Sequence, residues 1–396
     1  MSRWTRNGVV SALVSLALSG IAPMAHAKGS PGDELLKAAK KGDVQNVKAL
    51  IAQGVDVNVR NKDGRTPLIE AARAEKGPAV RALIEARADL DVQDEEGNTA
   101  LQEAAKKDDP QPALDLIRAG ADLNIRDSDG WTALLESVKH GSPATTSELI
   151  RQGADVNVQT RDGRSALSMG AERGSVALVG ELIAARVAVE DPAIGGRALM
   201  AAAAEGHDDV LMRLLDAGAP LNYVDPGGIT PLMAAAAKGN DYTVRTLMRA
   251  GLHPNAASDE GHTALMRGSQ NGQARVVETL LMAGATVDLV DSNGWTALMH
   301  AAMSTSYSND VIAVLARYGA GLDRQVGWNR KTALMMAAEN GREGAVDALL
   351  RAGAGRDVRS GEGKTAGEYA LAKKHNKIAE KLGIAVKDVQ EKAVKK

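Results

Sequence analysis

The side chains best equipped for chemistry in this sequence come as fragments of constellations. Gly363-Lys364-Thr365 has the ending of a phosphate-binding loop, but the glycine such a loop needs five residues earlier is Val358. Asp127, Asp129, Gly130 and Glu136, and likewise Asp94, Glu96, Gly97 and Glu103, have part of the spacing of a calcium loop. Its first ligand position falls on Ile125 or Val92, which have no side-chain oxygen to offer. The seven His are scattered, without a His-Glu-x-x-His pair for zinc, and no Gly-x-Ser-x-Gly elbow presents a serine nucleophile. Zero Cys excludes thiol chemistry, a disulfide framework and a lipidated amino-terminal cysteine. Met200, Met233, Met266, Met299 and Met335 recur at near-constant spacing. They form either a soft-metal or oxidation-sensing stripe or, the preferred reading, a thioether column filling gaps between stacked helices. The sequence thus points to no catalytic residue, no cofactor and no metal ligand.

What those fragments share is a recurring phrase. It reads Thr66-Pro67-Leu68-Ile69, Thr99-Ala100-Leu101-Gln102 and Thr132-Ala133-Leu134-Leu135, and continues through Thr332-Ala333-Leu334-Met335 to a degraded Thr365-Ala366-Gly367-Glu368. A glycine stands two residues ahead of most copies, and the usual step is 33 residues. A period of that length specifies a stacked solenoid, an architecture that binds far more often than it catalyses. Within one unit the Thr or Ser reads as a helix N-cap, with Pro67 and Pro231 at the first helical position, where a missing N–H costs nothing. Small pairs such as Ala71-Ala72 and Ala235-Ala236 let that helix approach its neighbours. A second amphipathic stretch, as in Val210–Leu215, ends in a glycine suited to the left-handed conformation after a helix.

Gly-x-Thr-Pro-Leu, a small pair, a Leu-rich second helix and Gly153-Ala154-Asp155-Val156-Asn157 together resemble the ankyrin repeat, over roughly residues 33–370. The resemblance implies an all-α solenoid of helix-turn-helix layers with projecting β-hairpin or loop tips. It also implies a concave face, built from those tips and the first helices, that binds another protein. The expected organisation is a cleavable signal peptide at 1–27, an amino-terminal capping repeat at 28–60, about nine repeats over 61–362, and a carboxy-terminal cap with a Lys-rich helix at 363–396. Irregular stretches fall near 186–197 and 304–330. In the first, Arg186 replaces the post-helix glycine and Arg197 replaces the cap, so the stack is expected to be weakest there; an irregular repeat is the preferred reading and a hinge the alternative. Arg87 also replaces a post-helix glycine. In the second, the step lengthens and Ser304–Asn309 and Gln325–Asn329 carry the extra residues.

The export signal is read from Arg3 and Arg6 before an uncharged Val-, Leu- and Ala-rich stretch, then Pro23 and Ala25-His26-Ala27. A periplasmic protein with no membrane span after signal removal is expected. Without Arg3 and Arg6 the chain carries a small acidic excess, which argues against nucleic acid as a partner. The eight lysines from Lys373 onward are read as the solvated face of a capping helix.

A partner surface is read from the residue after each tip glycine. Arg65, Asn98, Trp131, Arg164, Gly196, Ile229, His262, Trp295, Lys331 and Lys364 are chemically unrelated, on a framework that is constant. Three of the four Trp, Trp131, Trp295 and Trp328, lie in tips and are typical interface anchors. With Tyr307, Arg164, His262, Lys331, Lys139 and His140 they make the candidate partner-binding set. The function expected is a non-catalytic protein-interaction scaffold that, by analogy with exported bacterial members of the family, restrains or protects a cell-envelope enzyme. The alternative is a small-molecule, metal or oxidant sensor using the groove or the Met ladder.

Overall fold

The computed structural model describes residues 29–305, 308–327 and 329–385. Among them are 22 α-helices and a single π-helical turn, Pro192–Gly196, with no strand. The arrangement is an all-α repeat solenoid. Contacts divide the chain into one unit that ends at Ala104 and also holds Gln111–Asp122, and another of Ala105–Pro110 with Leu123 onward. The expected signal segment, Tyr307, Trp328 and the end of the Lys-rich tail lie outside the described residues.

Each layer begins as the sequence dictates. Thr66, Thr132, Thr230, Thr263, Thr296 and Thr332 are extended, and each hydroxyl accepts the amide three residues on. Such a cap contributes about 1 kcal/mol to its helix. The paired alanines that follow, from Ala71-Ala72 to Ala337-Ala338, are fully buried, so neighbouring first helices meet almost backbone to backbone. In the larger unit Arg197–Glu205 packs on both Ala166–Glu172 and Pro231–Lys238. Second helices stack on one another in the same way, as Asp241–Arg249 does on Ala274–Met282. In the smaller unit Pro31–Lys41 packs on Pro67–Arg73.

Two hydrogen-bond ladders tie successive layers. The Asn that ends each Asp-x-Asn phrase supplies one: Asn124 Oδ1 accepts the amide of Asp155 at 2.8 Å, and Asn157 Oδ1 that of Ala188 at 2.7 Å. Tip backbones supply the other, as where the Ser292 amide donates to the Glu260 carbonyl at 2.9 Å. The tips are turns rather than hairpin ladders; single antiparallel bridges occur at Gln159–Ser165, Ala257–Thr263 and Val326–Lys331.

The departures from the repeat are absorbed locally. Arg87 and Arg186 adopt φ of 59° and 60°, the left-handed geometry that glycine takes at the same point of other layers. Roughly 1 kcal/mol of backbone strain is the cost at each. At the layer that lacks a Thr cap, Asp191 accepts the amide of Ala193 at 2.8 Å and the chain enters its first helix through the π turn. Arg197 then donates from Nη1 to the carbonyls of Asp162 at 3.0 Å and Gly163 at 3.2 Å in the preceding tip. Loss of the cap therefore leaves packing on both sides of this layer intact.

Candidate functional site

The tips are aimed by a polar side chain five residues before the cap, an Asp in some layers and Asn61, Thr160 or Ser258 in others. Asp291 Oδ1 accepts the amides of Asn293 at 2.9 Å and Trp295 at 2.8 Å, while its own amide donates to the Trp295 carbonyl. Asp127 does the same for Asp129 and Trp131. The closed loop fixes the Cα of the tip residue whatever side chain it bears, which is why that position varies so freely on a constant frame.

Where those side chains go differs from one tip to the next. Trp131 is partly exposed with Lys139 Nζ over its ring at 4.2 Å. Lys139 and His140 are exposed at the end of Ala133–His140, and both approach the buried Glu136, at 3.8 and 3.3 Å. Arg173, of the next layer, donates to the carbonyls of Val138 and Lys139 and so closes that helix end. Arg164 pairs with Glu172 at 3.0 Å on the surface. His262 and Lys331 turn inward instead, with side chains only 12% and 14% exposed. Lys331 Nζ sits 2.5 Å from Glu339 and 4.3 Å from the centre of the Tyr369 ring of the following layer.

Trp295 and Lys331 border a cleft of about 310 Å³ between successive tips. Its walls are Asn293 and Trp295 from one tip, Val326, Gly327 and Asn329 from the next, and Met303, Met336, Glu339 and Asn340 from the ends of first helices. Its lining mixes apolar and polar side chains, among them the indole of Trp295 and the Lys331–Glu339 pair. The methionine column of the sequence reading lies elsewhere. Met233, Met266, Met299 and Met335 are 1% exposed and belong to the core, while Met200 is partly exposed.

A second column of residues, four after each cap, escaped the sequence reading. It holds Glu70, Glu103 and Glu136 early in the chain and His300 later, all buried. Each Glu faces a base at the end of the preceding first helix or just beyond it: Lys40 at 3.7 Å, Arg73 at 3.8 Å and Lys106 at 3.8 Å. Burial pushes the Glu136 carboxyl above the usual carboxylate range, and Lys106, Lys139 and His140 pull it back only in part. The column also meets the polar residue that closes the tip of its own layer, nine residues earlier. Asn61 donates to Glu70 at 3.0 Å, and His300 Nε2 stands 2.9 Å from Asp291 Oδ2. The periodicity of the caps would have found this column had position plus four been aligned across repeats.

The His300 contact is shared across layers. His262 Nε2 reaches the same Asp291 oxygen from the preceding tip at 3.4 Å, and the two imidazoles lie edge to face with centroids 5.2 Å apart. The ring of Trp295 covers His300 at 5.5 Å. Burial holds the His300 imidazole below its ordinary range; Asp291 opposes this, while His262 and Arg267 add to it. Histidines that look scattered in the sequence are therefore gathered, two of them, on one carboxylate. Arg65 and Asp94, at 3.2 Å, are the counterpart of His262 and Asp291 in an early layer.

Comparison with known proteins agrees with the repeat reading. No curated protein matches the chain. The model for ankyrin repeats in sets of three copies matches at residues 35–127, 111–193, 199–291, 247–326 and 265–360. With matches running over nearly all the described residues, and caps, paired alanines and tips in the places that family requires, the chain belongs to the ankyrin-repeat family.

Proposed function

We propose that this protein is a non-catalytic scaffold that captures another protein across its tips and first-helix ends, with Trp295 as the principal anchor. The observation that carries the reading is the cleft of about 310 Å³ beside Trp295, large enough to seat an apolar side chain of a partner and bordered by groups that can hydrogen-bond its backbone. Partly buried tryptophans beside such recesses are where interface energy concentrates. Trp131 with Lys139, and the exposed His140, extend the surface along the same ends of the first helices. The amino-terminal segment from Arg3 to Ala27 supports export, and so a periplasmic partner; no described helix is long and apolar enough to cross a membrane. A cell-envelope enzyme held in a restrained or protected state is the partner class proposed, on analogy with exported members of the family. Four of the five methionines of the column are buried, Met200 alone being partly exposed, which gives the sensor alternative little support.

Capture from periplasmic extract with the purified chain as bait tests this. Trp295→Ala, alone and with Trp328→Ala, is expected to lower recovery of a specific partner at least tenfold while the unfolding midpoint moves only slightly. Full recovery with the double variant would sink the reading.

A further inference from the structure

We propose that His262, Asp291 and His300 bind one divalent transition-metal ion of the zinc class, bolting two successive layers together. His262 belongs to the tip of one layer, and Asp291 and His300 to the tip and first helix of the next. Asp291 Oδ2 lies 3.4 Å from His262 Nε2 and 2.9 Å from His300 Nε2, and one donor atom of each residue falls within 4.8 Å of the other two. Ligand atoms around a tetrahedral zinc ion, with bonds of about 2.0–2.1 Å, stand roughly 3.3 Å apart. Side-chain movements of about 1 Å would bring the three donors to that spacing, with water as the fourth ligand. Two imidazoles and one carboxylate suit zinc, copper, nickel or cobalt, whereas calcium and magnesium require more oxygens than this cluster offers.

The surroundings are those of a ligand shell. Asp291 commits its other oxygen, Oδ1, to the amides of Asn293 and Trp295, which sets the carboxylate plane and leaves Oδ2 for a cation. His262 Nδ1 is buried with no hydrogen-bond partner, yet lies 3.3 Å from Glu260 Oε2. A small rotation would give the carboxylate–imidazole–metal relay that orients metal-bound histidines. Arg267, on the preceding first helix, places a positive charge near His300 and opposes a cation, while Glu260 offsets it. In an early layer the same junction is closed by the Arg65–Asp94 ion pair. Here two imidazoles replace the guanidinium, and a metal ion supplies the positive charge that the guanidinium provided there. In a chain without Cys, such an ion is a cross-link that needs no disulfide.

The test is calorimetric titration of the tag-free full-length chain, stripped with chelator, with zinc chloride, and a parallel cobalt(II) titration followed by visible absorption. One ion per chain, intense ligand-field bands of four-coordinate cobalt, and a rise in unfolding midpoint with zinc are expected. Asp291→Asn, His300→Gln and His262→Gln should each weaken binding at least tenfold. Because His262 sits at the rim of the core, His262→Gln, checked for unchanged helicity, decides the matter if the other two variants unfold. No zinc uptake by the wild-type chain, or uptake unchanged in His262→Gln, overturns the proposal.

Discussion

The layer opening at Thr296 and the layer opening at Arg197 occupy equivalent positions in the repeat and are closed by opposite means. In the first, Asp291 gathers the amides of its own tip, Thr296 caps the helix, and the residue between them is free to be tryptophan. In the second, the acid's place is taken by Pro192 and the cap's by Arg197, and the chain crosses through a π turn held by Asp191. The tip residue there is Gly196, where a Cβ would overlap the ring of Tyr223. A tip can present chemistry only where a side chain closes the loop from within. Where backbone packing closes it, nothing can project. The clefts and clusters of interest lie accordingly at the Asp-closed tip.

The strongest test of that contrast is Gly195→Ala. A Cβ at this position would overlap the carbonyl oxygen of Val189 and lie 2.6 Å from its carbonyl carbon, and neither belongs to a side chain that could swing away. The substitution is expected to cost about 3–4 kcal/mol, more than ordinary overpacking, because backbone must move. Urea unfolding of the variant measures it. A midpoint within error of wild type would mean that this tip is not closed by backbone packing.

Next in size is Asp291→Ala, set beside Asp191→Ala and measured with chelator present. The first removes the acceptor for two amides and for the His300 imidazole, leaving buried groups unsatisfied, and should cost about 2–3 kcal/mol. The second removes one exposed capping bond and should cost about 1 kcal/mol. Equal losses would erase the distinction between the two kinds of closure.

The frame of these layers is legible in the sequence because its signals are local. A Thr that accepts the amide three residues on, and a glycine with φ near 90° after the second helix, are decided by backbone sterics within one turn. Even Arg186 obeys the frame, taking the glycine's geometry without being glycine. The site was legible only in part. Trp295 stands at a cleft, as its residue type suggested, but the sequence reading aims His262 and Lys331 outward when both are spent on the following layer. The His262–Asp291–His300 cluster joins residues 29 and nine positions apart, across a layer boundary. Its members follow no common motif, and only the stacking register brings them together. Tyr307 and Trp328, which the sequence reading groups with Trp295, lie outside the described residues.

The smallest expected effect concerns the position four after the cap, which is Ala201 in the π-turn layer, His300 in the Asp291 layer and Glu136 in an earlier one. An alanine there has no charge to desolvate. Glu136 does, and one of its oxygens, Oε2, is buried without a hydrogen-bond partner although three bases stand within 4 Å. Because burial raises its folded pKa above the ordinary 4.5, the neutral carboxyl fits the fold better than the carboxylate. Below pH 4.5 both the folded and the unfolded chain hold the proton, and the group costs nothing. As pH rises from there through the raised folded value, ionisation erodes stability, and the penalty is complete above it. Glu136→Gln removes the charge and keeps the shape, so it should stabilise the protein by about 1 kcal/mol near neutrality. The gain should vanish as pH falls toward 4.5, whereas any change made by Ala201→Ser should stay level over the same range. Urea midpoints across that pH interval decide between the two slopes. A Gln variant less stable than wild type at neutral pH would mean that Lys106, Lys139 and His140 outweigh burial, and that the early layers are held by their ion pairs rather than in spite of them.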